Sequence, residues 1–244
     1  MILIDQETDM LVNIDMQKTF MPGGGLAVTG GDTIVPIARR VTDRFRRESR
    51  TATLDLHMEG HISLASSYVG IDSHTMVNFE GVTDLKGVAN PDRLAARALF
   101  SVDDFMDYMR KVKRQVLWPD HGLYHTEEAR LHPAFRRDEF GFILVKGMDP
   151  KCDSYSAFYD NLQRPTGLAQ ILRRQNKRRV FLQGLAFDYC VGFSALGAVT
   201  EGFETYVIED ATRPVGYPAD SVRNMYAQFR AAGVRLITSA DIGA

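Results

Sequence analysis

Val180-Phe181-Leu182-Gln183-Gly184-Leu185-Ala186-Phe187-Asp188-Tyr189-Cys190-Val191-Gly192 is the stretch on which the fold turns. It begins as a short apolar run closed by a glycine, the mark of a buried strand, and it ends by opening a helical pattern. Cys190, one of two cysteines in the chain, stands at that junction. The start of a helix favours the thiolate over a thiol of ordinary pKa, about 8.5. The alternative is a small apolar side chain in the core, the commoner lot of a lone cysteine.

The strand-then-helix reading repeats on both sides. Short apolar runs predict strands over 10–14, 51–54, 141–145, 179–183, 204–208 and 234–238. Apolar residues three and four apart predict helices over 34–45, 101–113, 167–175, 190–201 and 219–232. Ser101 followed by Asp104 reads as a capping box, with Asp in place of the usual Glu. The alternation predicts a single α/β domain over residues 1–244, three-layered, with a mostly parallel sheet and helices on both faces. The interval 67–115 breaks the rhythm and reads as an insertion: a lid, an oligomer contact or a plain surface excursion.

The 244 residues are 45% hydrophobic and 25% charged, with a formal net charge of −2. A balance so near neutral argues against nucleic acid or an anionic membrane as partner. No apolar run reaches the length of a membrane span, and no signal-peptide pattern is apparent at the start. Two cysteines make no disulfide framework, which suits a cytoplasmic protein.

In open parallel sheets, ligands bind beyond the carboxyl ends of the strands. Four predicted strands lead into groups with chemical potential there: Asp15, Asp55 with His57, Lys146 and Cys190. A thiol needs a base, which a carboxylate supplies, and a nearby cation favours the thiolate. Asp15, Lys146 and Cys190 therefore make sense as a catalytic unit. Taken singly, they read as a turn cap, a surface charge and core filler. Asp55, His57 and His61 form a mixed oxygen and nitrogen set suited to a divalent transition metal, to which His121 could add a ligand from a loop. The run Pro22-Gly23-Gly24-Gly25 lacks the spacing of a phosphate loop and reads as a backbone turn near the site.

In this order the residues resemble the isochorismatase-like cysteine hydrolases, and within them the nicotinamidases (pyrazinamidases). Asp15-Met16-Gln17 with Phe20 and Pro22-Gly23-Gly24 is similar to the family's DxQxDFxPGG. Asp55-Leu56-His57 with His61 is similar to DxHxxxH, and Trp118-Pro119-Asp120-His121 to WPxH. Lys146-Gly147 with Asp153-Ser154-Tyr155-Ser156-Ala157-Phe158 is similar to KG…DSYSAF, and Gly184 to Val191 to GLATDYCV.

The resemblance implies Asp15 as general base and later acid, Lys146 as electrostatic support and Cys190 as nucleophile. It implies a cis peptide between Leu185 and Ala186, with an oxyanion hole formed by the Ala186 and Cys190 amides. It places one divalent ion on Asp55, His57 and His121, with His61 as a further ligand or just beyond; zinc comes first, with iron and manganese also suited. Phe20, Leu26, Trp118 and Tyr155 would wall the substrate ring. The implied reaction is hydrolysis of nicotinamide to nicotinic acid and ammonia, a step of NAD salvage, and the alternative is another small aromatic or heterocyclic amide. The expected partner is that small molecule, in a chain that as a homo-oligomer would follow many related enzymes. Two other readings stand beside it: a thiol redox protein using Cys152, and a non-catalytic binding module. Thr19, Gly122, His125 and Phe187 depart from the family pattern. Phe187 is expected to add bulk beside the nucleophile, and His125 a polar group near the metal.

Overall fold

The computed structural model describes residues 1–80 and 90–243. Six strands form one sheet: β1 (Asp9–Ile14), β2 (Arg50–Asp55), β5 (Phe142–Lys146), β6 (Arg179–Leu185), β7 (Glu204–Arg213) and β8 (Arg235–Ile237). Their order is β5-β2-β1-β6-β7-β8, and every pairing is parallel. From β1 the chain goes to β2 on one side and later returns to β6 on the other. The crevice where strand order reverses is therefore at the ends of β1 and β6.

Side chains alternate across the central strand. Met10, Val12 and Ile14 pack against helices α3 (Leu168–Arg174), α4 (Gly192–Thr200) and α5 (Ser221–Ala232) through Leu172, Ala195, Met225 and Phe229. Leu11 faces the other way, in the cluster that includes Phe181, Ala38 and Val41, the last two from helix α1 (Val35–Thr42). Helices thus cover both faces, as strands buried on both sides require. On the α1 side, Gln183 Nε2 lies within hydrogen-bond distance of Asn13 Oδ1 (2.5 Å), Thr42 Oγ1 (3.0 Å) and the Ala38 carbonyl (2.9 Å).

The insertion carries more structure than its sequence suggests. Strands β3 (Thr75–Asn78) and β4 (Arg114–Leu117) pair antiparallel, with helix α2 (Val102–Val112) between them in sequence. Neither strand is evident from the sequence, because four residues are too few to display a period. The ribbon runs through Leu117, two residues past the expected boundary at 115, so it delivers Trp118 directly. Residues 81–89 of the expected insertion lie outside the described residues. Ser101 and Asp104 do form a capping box: Ser101 Oγ accepts from the Asp104 amide (3.1 Å), and Asp104 Oδ2 accepts from the Ser101 amide (2.9 Å). Among the described residues, no helix is long and apolar enough to cross a membrane.

The other shifts lie at element ends. β7 continues five residues beyond 208, and β5 includes Lys146 itself. The helix expected from Cys190 starts at Gly192, after a wider turn over Phe187–Val191. Gly184 makes the approach to that turn possible. Its φ is +117°, and a Cβ there would lie 1.9 Å from the Ile14 carbonyl oxygen. Gly184→Ala is therefore expected to cost about 2–3 kcal/mol, from the positive φ and the overpacking together. Urea unfolding checks this, and an unchanged midpoint would contradict the close packing of β6 on β1.

Candidate active site

Asp15 follows β1 directly with a φ of 46° and is fully buried. Thr53, in the middle of β2, holds it twice: the hydroxyl donates to Asp15 Oδ1 (2.5 Å) and accepts from the Asp15 amide (3.0 Å). Lys146 ends β5, two strands away, and its Nζ reaches the same point. The ammonium donates to Asp55 Oδ1 (2.8 Å), the Ser154 carbonyl (3.0 Å) and Cys190 Sγ (3.3 Å). Those three acceptors use its three protons. Asp15 Oδ2 also lies 2.9 Å from Nζ but outside the line of a hydrogen bond, so it remains an acceptor without a directed donor. Carboxylate oxygens of Asp15 and Asp55 and the Cys190 sulfur lie within 4.8 Å of one another. The three residues expected to act together are thus brought together.

Burial and charge set the protonation states. Burial pushes the Cys190 thiol well above the ordinary range; Lys146 pulls against it, and Asp15 and Asp55 add to the rise. Burial likewise raises Asp15, partly offset by Lys146. Burial alone would drive protons off Lys146, but Asp15 and Asp55 outweigh it and hold the ammonium charged. Asp55 goes the other way: despite its burial, Lys146 and His57 keep it well below the usual carboxylate range.

Asp55 also joins this group to the histidines. Its Oδ2 lies 3.2 Å from His57 Nε2 and 3.4 Å from His121 Nε2. His57 Nδ1 faces the Gly147 carbonyl (3.2 Å) and His121 Nδ1 the Pro119 carbonyl (2.8 Å). A carbonyl only accepts, so each Nδ1 carries a proton and each Nε2 is turned toward Asp55. Burial opposes charge on His57, but Asp55 outweighs it and raises the ring's pKa, so either a second proton on the ring or a metal ion reconciles the carboxylate with the two imidazoles. Two imidazoles and a carboxylate suit a divalent transition metal. Gln17 fixes the backbone of this ligand: Oε1 accepts from the Asp55 amide (2.7 Å), and Nε2 donates to the Asp55 carbonyl (2.9 Å). At Gly25, in the glycine turn, an added Cβ would lie 2.1 Å from the Asp120 carbonyl oxygen, so the turn does press on the loop bearing His121.

His61 stands apart from the three-residue group. Its ring lies 4.5 Å from that of His57, but Nδ1 faces Ser63 Oγ (2.8 Å) and Nε2 the Cys152 carbonyl (3.3 Å). Burial and the neighbouring His57 bring it down to about 4, which keeps it neutral.

Phe20, Leu26, Trp118 and Tyr155 all line a narrow cleft of about 20 Å³, together with Asp55, His121, Ala186 and Cys190. The Leu185–Ala186 peptide bond is cis. Sequence reasoning missed three lining residues, Asp153, Tyr189 and Val215. Asp153 opens the Asp153–Phe158 motif, and Tyr189 adjoins the nucleophile candidate, but Val215 carries no chemical signal. The Tyr189 ring meets Trp118 edge-on at 4.8 Å and Tyr155 at 5.1 Å, and Trp118 Nε1 donates to the Tyr155 hydroxyl (3.1 Å).

The departures from the family pattern fall differently from expectation. Phe187 packs against Tyr226 (4.7 Å) and Phe229 (5.5 Å) in the helical layer and does not line the cleft. His125 is exposed beside Tyr124 and borders a separate groove with Leu54, Leu56 and Phe135. Thr19 accepts the Gly122 amide on its hydroxyl (3.0 Å). Cys152 is a free thiol in the insertion's apolar core.

A thiol, a carboxylate and an ammonium are thus gathered at the switch point of a parallel sheet, an arrangement suited to nucleophilic catalysis. The family model described as the isochorismatase domain matches residues 88–241, and the chain belongs to that family. It is 32% identical over 234 residues to the nicotinamidase of Escherichia coli (strain K12), covering 95% of each chain. Among solved structures, an Acinetobacter baumanii nicotinamidase/pyrazinamidase shares 31% identity at a TM-score of 0.80, covering 97% of this chain and 98% of that one. PnC1 of L. infantum, solved in complex with nicotinate, shares 29% identity at a TM-score of 0.74, covering 100% and 98%. The pyrazinamidase of Pyrococcus horikoshii in complex with zinc shares 25% identity at 0.63, covering 94% and 98%.

Because Asp15 raises the Cys190 pKa, its removal leaves the thiol facing Lys146 with less opposing charge. In chelator-treated protein, the Cys190 alkylation rate by iodoacetamide is expected to rise with a midpoint above that of a free thiol. Asp15→Asn is expected to move that midpoint down. A midpoint that stays or rises in this variant would contradict the arrangement.

Proposed function

We propose that the protein is a metal-dependent cysteine amidohydrolase that converts nicotinamide to nicotinic acid and ammonia. The observation that carries this reading is that Asp15 and Cys190 meet on Lys146 in the same aromatic cleft as the Asp55–His57–His121 group. Asp55 links the two, with one oxygen on Lys146 and the other on the histidines. The likeness to nicotinamidases along nearly the whole chain supports the choice of amide.

Asp15 Oδ2, the acceptor without a directed donor, takes the Cys190 proton. The thiolate attacks the carboxamide carbon, and the Ala186 and Cys190 amides receive the oxyanion. An oxyanion-hole donor of this kind typically contributes about 10²–10³ in rate. Protonated Asp15 returns its proton to the departing nitrogen, ammonia leaves, and a thioester remains on Cys190. Asp15 then takes a proton from water, which hydrolyses the thioester to the carboxylic acid and restores the thiol. Lys146 stays charged throughout and balances whichever of Asp15 or Cys190 is anionic. Phe20, Leu26, Trp118 and Tyr155 hold the flat ring by apolar contact and keep water from its faces.

Asp55, His57 and His121 would hold the metal, zinc first among the ions such donors suit. When bound, it supplies a Lewis-acidic point for the ring nitrogen, turning the carboxamide toward the thiol.

Ammonia release from nicotinamide tests the reading. Wild type is expected to be active, and Cys190→Ala to lose about 10⁴-fold or more in kcat with its fold intact. Metal analysis is expected to give about one ion per chain, with binding lost in His57→Ala. Full turnover by Cys190→Ala would end the nucleophile assignment, and full turnover after verified metal removal would end the metal's role.

A further inference from the structure

Asp188 touches neither the thiol nor the cleft, yet it is buried two residues before the nucleophile and is wholly occupied by another segment. Its Oδ1 accepts from the Val215 amide (2.8 Å). Its Oδ2 accepts from the Gly216 amide (2.9 Å) and the Ser221 hydroxyl (2.6 Å). The next residue holds the same segment: the Tyr189 hydroxyl donates to the Tyr217 carbonyl. This segment follows β7 and contributes Val215 to the cleft, where it stands with Ala186, Tyr189 and Cys190. Two successive side chains of the nucleophile turn therefore fasten one wall of the cleft, one through the backbone before Tyr217 and one at Tyr217 itself.

We propose that Asp188 is a positioning residue: by holding the Val215 and Gly216 amides it fixes the Val215 wall of the cleft, and so the fit of the substrate ring against that wall. The inference rests on the amidohydrolase reading for its substrate but on hydrogen bonds alone for its geometry. A carboxylate suits the task because it only accepts, and two backbone donors and a hydroxyl converge on it. An amide in its place can accept from one N–H but turns an NH₂ group toward the other. One backbone donor is then left without a partner, and the segment is released. Because the wall makes apolar contact with the ring in the ground state and the transition state alike, its release weakens binding more than the chemical step.

The test combines steady-state kinetics with amide hydrogen exchange on Asp188→Asn, Ser221→Ala, Tyr189→Phe and Val215→Ala. Asp188→Asn is expected to raise KM for nicotinamide about tenfold while kcat changes less than threefold, and to speed exchange over 215–217 at least tenfold. Ser221→Ala and Tyr189→Phe, which orphan no backbone donor, are expected to shift KM the same way by about two- to fivefold. Combined with Val215→Ala, Asp188→Asn should add little to KM, since both act through one wall. Faster exchange with unchanged KM, or effects of Asp188→Asn and Val215→Ala that multiply fully, would overturn the proposal. A parallel fall in kcat across all variants, tracking only the folded fraction, would overturn it too. If wild type leaves nicotinamide intact, it is the substrate reading that fails, and the same KM comparison is made on whichever amide of a small aromatic panel is turned over.

Discussion

Everything at the rim of the sheet depends on the buried ammonium of Lys146. Two carboxylates, Asp15 and Asp55, and a thiol occupy a region closed to solvent, and burial of such groups is costly unless charge and hydrogen bonds offset it. Lys146 is the cation that offsets it, with its three protons on Asp55, the Ser154 carbonyl and Cys190. Having only three, it leaves Asp15 Oδ2 near but undirected. On the proposed mechanism, that oxygen is the one that receives the thiol's proton. Truncating Lys146 would strand two buried carboxylates at once.

The sheet order converts a scattered sequence into this cluster. β5, β2, β1 and β6 are neighbours, so their carboxyl ends present Lys146, Asp55, Asp15 and the Ala186–Cys190 turn side by side. Asp55 is the hinge between two functions. One oxygen serves the ammonium and the other the histidines, so a cation among the histidines would alter the field at Cys190 through a single carboxylate. The insertion closes the arrangement by delivering Trp118 at the end of β4, against Tyr155 and Tyr189.

Much of this was legible in the sequence because it depends on periodicity and strand ends. Asp15, Asp55, Lys146 and Cys190 each follow or end an apolar run. Legibility failed where orientation turns on local backbone geometry. Phe187 sits beside the nucleophile in sequence, but the wide turn over Phe187–Val191 sends its ring into the helical layer. Tyr189, two positions on, is sent into the cleft instead. His125 has a chemically suggestive type, but its loop carries it to the surface. Thr53 and Gln17 show no reactive signature, and only the fold reveals that they hold Asp15 and Asp55. Val215 is an ordinary valine until the fold brings it to the cleft that Cys190 also lines.

The most direct measurement is to trap the covalent state. Wild-type protein mixed with excess nicotinamide, quenched in acid within the first turnover and digested, should yield a Cys190 peptide heavier by one nicotinoyl group, with Cys152 unmodified. The adduct should be labile to hydroxylamine, as a thioester is, and absent from Asp15→Asn. Rapid turnover with no acyl group on Cys190 at any quench time, or an acyl group on a different residue, would contradict nucleophilic catalysis by this thiol.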